Sequence, residues 1–254
     1  PPMMAANGRS GFSITGNQIV MIFLNYLMTR NTELGTLTGN EYIVKTIVTT
    51  ETIRTIAEAQ HIKMYDCFTG FKWIANVMRE NEGKARYLGG GEESYGFLAE
   101  DFVRDKDSVS AISLMAEIAA WAKDKGLNMT DMLIDIYMKY GFSREKGISL
   151  VRKGKSGAEE IIALMKQFRE NPPKEIAGSP VVTVKDFQSL VETNVATGET
   201  KKLDMPATSN VLQYYTADRT KVSVRPSGTE PKIKFYIEVH DTLASADEYK
   251  ATEA

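Results

Sequence analysis

Two short segments of this chain combine residue types that could do chemistry. The first is Gly89-Gly90-Gly91-Glu92-Glu93-Ser94-Tyr95-Gly96. Its glycines argue against helix and strand alike and let a ligand approach the backbone closely. Two carboxylates and a hydroxyl sit on that backbone, a set that accepts hydrogen bonds from the hydroxyls of a polyol. The same residues also suit a solvated turn between two elements. The second segment is Arg225-Pro226-Ser227-Gly228-Thr229-Glu230-Pro231. Arg225 offers a planar fork of donors that matches two phosphate oxygens. Ser227 and Thr229 add hydroxyls, and Gly228 lets successive backbone N–H groups converge on an anion. The plain alternative is a hairpin loop shouldered by two prolines. Together the segments describe a phosphorylated sugar, with hydroxyls read at one loop and the phosphate held at the other.

Other patterns fail on spacing. Gly154-Lys155-Ser156 ends like a phosphate-binding P-loop, but Ser149 stands where its first glycine is required. Ser94 lacks the first glycine of a nucleophile elbow, because Glu92 occupies that position. His61 and His240 have no neighbouring ligand pattern, and two histidines with the single Cys67 are too few for the usual structural zinc sites. One cysteine excludes an intrachain disulfide and suits a reducing compartment.

The elements that must position the two loops differ between the halves of the chain. Thr15 and Gln18 form a capping-box pattern, followed by Ile19, Ile22, Phe23, Tyr26 and Leu27 on one helical face. Strands are predicted over 42–48, 61–65 and 84–88, alternating with helices over 49–59 and 71–80. Asp107 caps a further helix that Gly126 stops, and 130–140 forms another, ended by Gly141. This order predicts an α/β layered domain, a mixed sheet with helices, over residues 15–150. The basic, apolar-free run Arg152-Lys153-Gly154-Lys155-Ser156-Gly157 reads as the hinge. Beyond it, Ser156 and Glu159 suggest a capped helix that closes at Asn171-Pro172-Pro173. Strands over 181–184, 211–215, 221–224 and 232–239 follow. Ile233, Phe235, Ile237 and Val239 alternate with polar residues, which predicts a sheet with one buried face. Ser245 and Glu248 suggest a closing helix. Residues 151–254 therefore read as a smaller α+β domain with an antiparallel sheet, and residues 1–14 as a flexible lead or linker.

Composition agrees with this plan and narrows the partners. At 254 residues, two domains are expected. A formal net charge of −2 argues against a general nucleic-acid binder. No apolar run approaches the ~20 residues of a membrane span, and no signal-peptide pattern opens the chain.

Gly91-Glu92-Glu93-Ser94-Tyr95-Gly96 resembles the sugar-binding loop of the phosphoglucomutase/phosphomannomutase family, the α-D-phosphohexomutases. Arg225-Pro226-Ser227-Gly228-Thr229-Glu230-Pro231 is similar to that family's phosphate-binding loop. Thr69-Gly70-Phe71-Lys72-Trp73 and Val103-Arg104-Asp105-Lys106-Asp107 resemble further segments of its third domain, and Thr15-Gly16-Asn17-Gln18 the start of that domain. The resemblance runs from residue 15 onward. It implies a four-domain protein of which this chain is the third and fourth domains. The T-A-S-H-N-P type serine loop and the D-G-D-x-D-R metal loop of the first two domains do not occur here. Pro206-Ala207-Thr208-Ser209-Asn210 is a loose echo of the serine loop that lacks its histidine, and reads as coincidence.

By resemblance, Glu92 and Ser94 hold sugar hydroxyls, and Lys72, Arg104 and Lys106 face the cleft. Arg225, Ser227, Gly228 and Thr229 hold the phosphate that is not reacting. On the residues alone, Lys72 is an exposed helix lysine, and Arg104 and Lys106 pair with nearby aspartates. The implied reaction interconverts hexose 1-phosphate and hexose 6-phosphate, of glucose or mannose, through a phosphoserine and a bisphosphate. The implied cofactors are Mg²⁺, whose ligands would lie outside this chain, and hexose 1,6-bisphosphate. The implied partners are a phosphorylated hexose and the N-terminal domains of the same protein, with no nucleic acid and no membrane. The implied location is cytoplasmic, and the chain alone is expected to be inactive. A non-catalytic sugar-phosphate binding module and a structural domain with plain turns remain the alternatives.

Overall fold

The computed structural model describes residues 4–7, 10–152, 154–228 and 230–249. The chain divides into two units. One runs through Phe142 and takes back the chain from Asp241 onward; the other is Ser143–His240.

The first unit contains β1 (Met4–Asn7), β2 (Ser10–Ser13), α1 (Gly16–Glu33), β3 (Glu41–Thr46), α2 (Thr52–Ala59), β4 (Lys63–Cys67), α3 (Phe71–Asn81), β5 (Arg86–Gly91), β6 (Phe97–Ala99), α4 (Ser108–Asp124) and α5 (Met129–Tyr140). β1 and β2 pair antiparallel within the stretch that the sequence suggests is a lead. α1 starts as its spacing predicts: Thr15 Oγ1 accepts from Gln18 N at 3.3 Å, and Gln18 Oε1 accepts from Thr15 N at 2.9 Å. Ile19 to Leu24 are all buried, so this stretch of α1 is enclosed on every side and belongs to the core, while the last turns, with Arg30 and Glu33, emerge from it. The sheet order is β4-β3-β5-β6, with β3 parallel to β4 and β5, and β6 antiparallel to β5.

Gly89, Gly90 and Gly91 belong to β5 and are buried, contrary to the expectation of a non-strand loop. Their role is close packing. A Cβ on Gly90 would lie 2.6 Å from the Val44 carbonyl oxygen, and one on Gly91 2.7 Å from Val20 Cγ2. Glycine here lets β5 approach β3 and α1 more closely than any side chain permits.

The second unit contains most of β7 (Phe142–Val151), then α6 (Gly154–Glu170), β8 (Glu175–Ile176), β9 (Ser179–Asp186), β10 (Val191–Asn194), β11 (Thr200–Lys202), β12 (Leu212–Thr216), β13 (Lys221–Pro226) and β14 (Lys232–Asp241). The sheet order is β11-β10-β9-β12-β13-β14-β7, with β8 beside β9. α6 covers one face, where Ile161 and Met165 pack on Val181, Leu212, Tyr214, Val224 and Ile233. The other face is polar but not simply solvated: Lys221 and Glu238 form an ion pair at 2.7 Å with side chains 1% and 2% exposed.

The division between units falls at residue 142, earlier than the expected position near 150. β7 is the reason. It is an end strand exposed over most of its length, charged at Arg144, Glu145 and Lys146 and apolar but uncovered at Ile148, Leu150 and Val151, so it has no buried face to mark it as a strand. The proposed hinge becomes the first turn of α6, with Ser156 inside the helix rather than capping it; Lys153 lies outside the described residues. The chain after Asp241 rejoins the first unit, where Leu243 and Tyr249 enter the α1 core. The closing helix shrinks to a 3₁₀ turn, Ala246–Glu248. Among the described residues no helix is long and apolar enough to cross a membrane.

Candidate functional site

In the first unit the parallel strands β3, β4 and β5 end on one edge, with β4 and β5 on opposite sides of β3. Loops at such an edge are where open α/β sheets bind ligands. The loops here are tied to one another by hydrogen bonds. Glu92, 8% exposed, follows β5 and reaches the loop after β4, where its Oε1 accepts from Gly70 N at 2.7 Å. Glu92 N donates to the Gly96 carbonyl at 2.8 Å and closes the turn. Thr46 Oγ1, at the end of β3, donates to Glu93 Oε2 at 3.4 Å and shares a hydrogen bond with Thr49 Oγ1 at 2.8 Å. Thr50 N donates to Asn17 Oδ1 at 3.0 Å, which adds the start of α1. Beneath them Lys45, fully buried, pairs with Glu51 and Asp66, each at 2.9 Å. Cys67 lies beside this cluster; burial and then the Asp66 charge push its thiol far above the usual range.

The candidate residues do not all gather at this edge. Glu92 is there, and its buried oxygen braces the start of α3. Ser94 is exposed at the tip of the turn, next to Tyr95, whose φ of 70° is a left-handed value. Lys106 comes to the loop: its Cδ lies 3.2 Å from where a Gly96 Cβ would stand, and its Nζ is 5.8 Å from the centroid of the Phe71 ring. Its ammonium also bonds Asp105 Oδ1 at 3.1 Å, which holds that carboxyl below its ordinary range. Lys72 is exposed on α3 with its Nζ 5.4 Å from the Trp73 ring. Arg104 pairs instead with Glu82, at the far end of α3, at 3.1 Å. Sequence reasoning missed the parts of Asn17, Lys45 and Thr46, whose contacts reach across separate elements.

In the second unit, the loop between β13 and β14 borders a cavity of about 700 Å³. Arg225, Ser227, Gly228 and Glu230 line it together with Gly154 and Ile161 of α6; Thr229 lies outside the described residues. Arg225 is half-buried and has no hydrogen-bond or ion-pair partner among the described residues. Glu230 is the nearest carboxylate in sequence, but it bonds Lys232, which lowers its pKa. Ser227 N donates to the Lys232 carbonyl at 2.8 Å and fixes the loop backbone. Two further residues, Ser209 and Asn210, line the same cavity. A guanidinium kept partly from water without a carboxylate is suited to an anionic ligand.

The chain thus joins an α/β layer, whose loops gather at one sheet edge, to an α+β sheet, whose Arg225 loop borders a cavity. Comparison with known families gives this architecture its class. Residues 15–140 match the phosphoglucomutase/phosphomannomutase alpha/beta/alpha domain III, and residues 164–254 match the phosphoglucomutase/phosphomannomutase C-terminal domain. The chain belongs to this family. It is 35% identical over 222 residues to a phosphoglucomutase of Staphylococcus epidermidis, covering 87% of this chain and 40% of that protein. It is 32% identical over 234 residues to that of Staphylococcus haemolyticus, covering 92% and 41%. The chain thus spans about 40% of the length of the curated relatives it matches. Its fold is similar to pp63/parafusin, a phosphoglucomutase from Paramecium in its open form, with a TM-score of 0.61 at 16% identity over 92% of this chain and 38% of that one. A phosphoglucomutase/phosphomannomutase family protein of Burkholderia thailandensis gives 0.56 at 17% identity over 95% and 42%.

Proposed function

We propose that this chain is the sugar- and phosphate-holding portion of a hexose-phosphate mutase that interconverts hexose 1-phosphate and hexose 6-phosphate. The observation that carries the reading is Arg225: half-buried, without a protein partner among the described residues, on the wall of a cavity it shares with Ser227 and Gly228. On this reading Arg225, Ser227, Gly228 and Thr229 grip the phosphate that is not reacting. Glu92 and Ser94 accept and donate hydrogen bonds to the sugar hydroxyls, and Lys106 adds positive charge beside them. Lys72 and Arg104 have weaker support, since Arg104 is drawn toward Glu82.

The chain's contribution to the reaction is positioning, which is a large part of catalysis in phosphoryl transfer. A phosphoserine donor, hexose 1,6-bisphosphate as intermediate and Mg²⁺ complete the proposed cycle. Mg²⁺ supplies charge stabilisation at the transferring group when bound. On this reading the ligands of the metal and the serine lie in the rest of a longer protein. A single buried cysteine suits a cytoplasmic setting.

The test is a titration of glucose 6-phosphate into wild type, Arg225→Ala and Arg225→Lys, followed by calorimetry or NMR. A charge-assisted hydrogen bond contributes about 1.5–3 kcal/mol, so Arg225→Ala should weaken affinity about tenfold or more. Lysine should not restore it, because a point charge lacks the fork. Equal binding by wild type and Arg225→Ala would mean that the loop is only a turn.

A further inference from the structure

The sequence offers Ser209 only as a loose echo of a serine loop, and the fold gives it a different setting. Leu212 of β12 pairs with Val224 of β13. The residues just before β12 therefore run beside the end of β13 that carries Arg225, and Ser209 and Asn210 both line the Arg225 cavity. Asn210 is exposed and Ser209 half-buried.

The Asn210 amide has a forced orientation. Arg169, on the last turn of α6, is held by Asp186 through Nε to Oδ2 at 2.9 Å and Nη2 to Oδ1 at 3.3 Å. The same Nη2 donates to Asn210 Oδ1 at 2.9 Å. A guanidinium has no acceptor, so only the amide oxygen can face it. The Asn210 NH₂ is thereby turned away from Arg169, and Nδ2 has no partner among the described residues. Asn210 lines the cavity, and the group its amide has left to offer a ligand is the Nδ2 donor. A phosphate, which offers only acceptors, is complementary to it. Arg169 is neutralised by Asp186, so the pair sets direction and polarises the amide without adding net charge.

We propose that Asn210 is a further phosphate-binding residue of this cavity, its Nδ2 aimed by the Asp186–Arg169 pair at the phosphate held by Arg225, with the Ser209 hydroxyl as an accompanying donor. This rests on the phosphate reading of Arg225. Arg169 acts through Asn210 and is a positioning residue.

The test uses the 254-residue chain with inorganic phosphate and, separately, glucose 6-phosphate as probes. In ¹⁵N spectra of wild type, the Asn210 side-chain amide pair should shift on adding inorganic phosphate and saturate with the bulk affinity. Asn210→Ala should weaken phosphate binding about tenfold, the lower end for one hydrogen bond to a charged group. Arg169→Met should weaken it about twofold in wild type and not at all in the Asn210→Ala background, since its effect runs through the amide. If Asn210→Ala binds phosphate like wild type and its wild-type amide pair does not move, while Arg225→Ala loses binding, this inference is wrong and the phosphate reading stands. If Asn210→Ala loses affinity for glucose 6-phosphate alone, Asn210 reads the sugar and the inference is overturned. If Arg225→Ala binds phosphate undiminished, the phosphate reading falls and takes this one with it.

Discussion

Replacing Gly16 by alanine sets two effects of opposite sign against each other. Gly16 opens α1, and helix propensity alone favours alanine over glycine by about 1 kcal/mol in a helix interior. Packing says the reverse. A Cβ at Gly16 would lie 1.9 Å from the Glu93 carbonyl oxygen, 2.7 Å from its carbonyl carbon and 2.9 Å from Tyr95 N. All three atoms are backbone, so no side chain can swing aside, and either α1 or the loop must retreat by more than an ångström. The loop resists, because Glu92 holds Gly70 N at 2.7 Å and Gly96 O at 2.8 Å. Overpacking of this kind costs roughly 1–3 kcal/mol. Set against the propensity gain, a net loss of about 1 kcal/mol is expected, which lowers Tm by about 2–4 °C at this chain length. Scanning calorimetry and urea unfolding measure it. Gly147→Ala is the control, because nothing stands within 4 Å of its Cβ and its φ is ordinary; it should change stability by less than about 0.5 kcal/mol. A displaced loop should also weaken glucose 6-phosphate binding while leaving inorganic phosphate binding intact. Gly16→Ala with an unchanged or raised Tm would refute the close approach of α1 to the Glu93 turn.

Other outcomes follow from the same geometry. Glu92→Ala leaves the Gly70 N–H without its acceptor and should cost about 1–3 kcal/mol in urea unfolding, whereas Glu92→Gln keeps an oxygen there and should cost less than half as much; equal losses would assign the effect to charge. Asp218 is held down to about 2 from its ordinary 3.8 by the Thr216 hydroxyl and then the Thr220 N–H. Its folded value is depressed, so its stabilisation is complete above the unfolded value and is lost as pH falls toward 2. An NMR titration of the Asp218 carboxyl carbon should place its midpoint near 2, and a midpoint at the ordinary value would remove the argument. The purified chain alone should not convert glucose 1-phosphate to glucose 6-phosphate, and turnover above a contaminant control would contradict the division of labour proposed for it.

What the sequence made legible was local. The Thr15–Gln18 box and the start of the β14 alternation at Ile233 announce themselves within a few residues, because caps and strand faces are short-range devices; further along β14 the pattern fails, with Val239 exposed and Glu238 buried against Lys221. Features set by distant neighbours stayed hidden. Glycines at 89–91 have the same composition whether they make a turn or let two backbones meet, and only Val20 and Val44 decide between those roles. Arg104 has nearby aspartates in sequence, yet its partner is Glu82, brought across by α3. β7 buries no face along most of its length, so its residues carry no period from which a strand could be read. Ser209 and Asn210 gain meaning only from the ladder that sets Leu212 opposite Val224.

The course of the chain between the units has a consequence for how the molecule can be taken apart. It leaves the first unit after Phe142 and returns at Asp241, on neighbouring strands β7 and β14. A Cβ on Gly141 would stand 4.0 Å from the Asp241 carbonyl oxygen. The boundary of the second unit is therefore crossed twice by the chain, and the match to the C-terminal family domain, residues 164–254, includes the segment after the second crossing. Cutting the chain only at residue 142 would strip Leu243 and Tyr249 from the core they complete. A two-domain dissection of this protein is a question of two cuts.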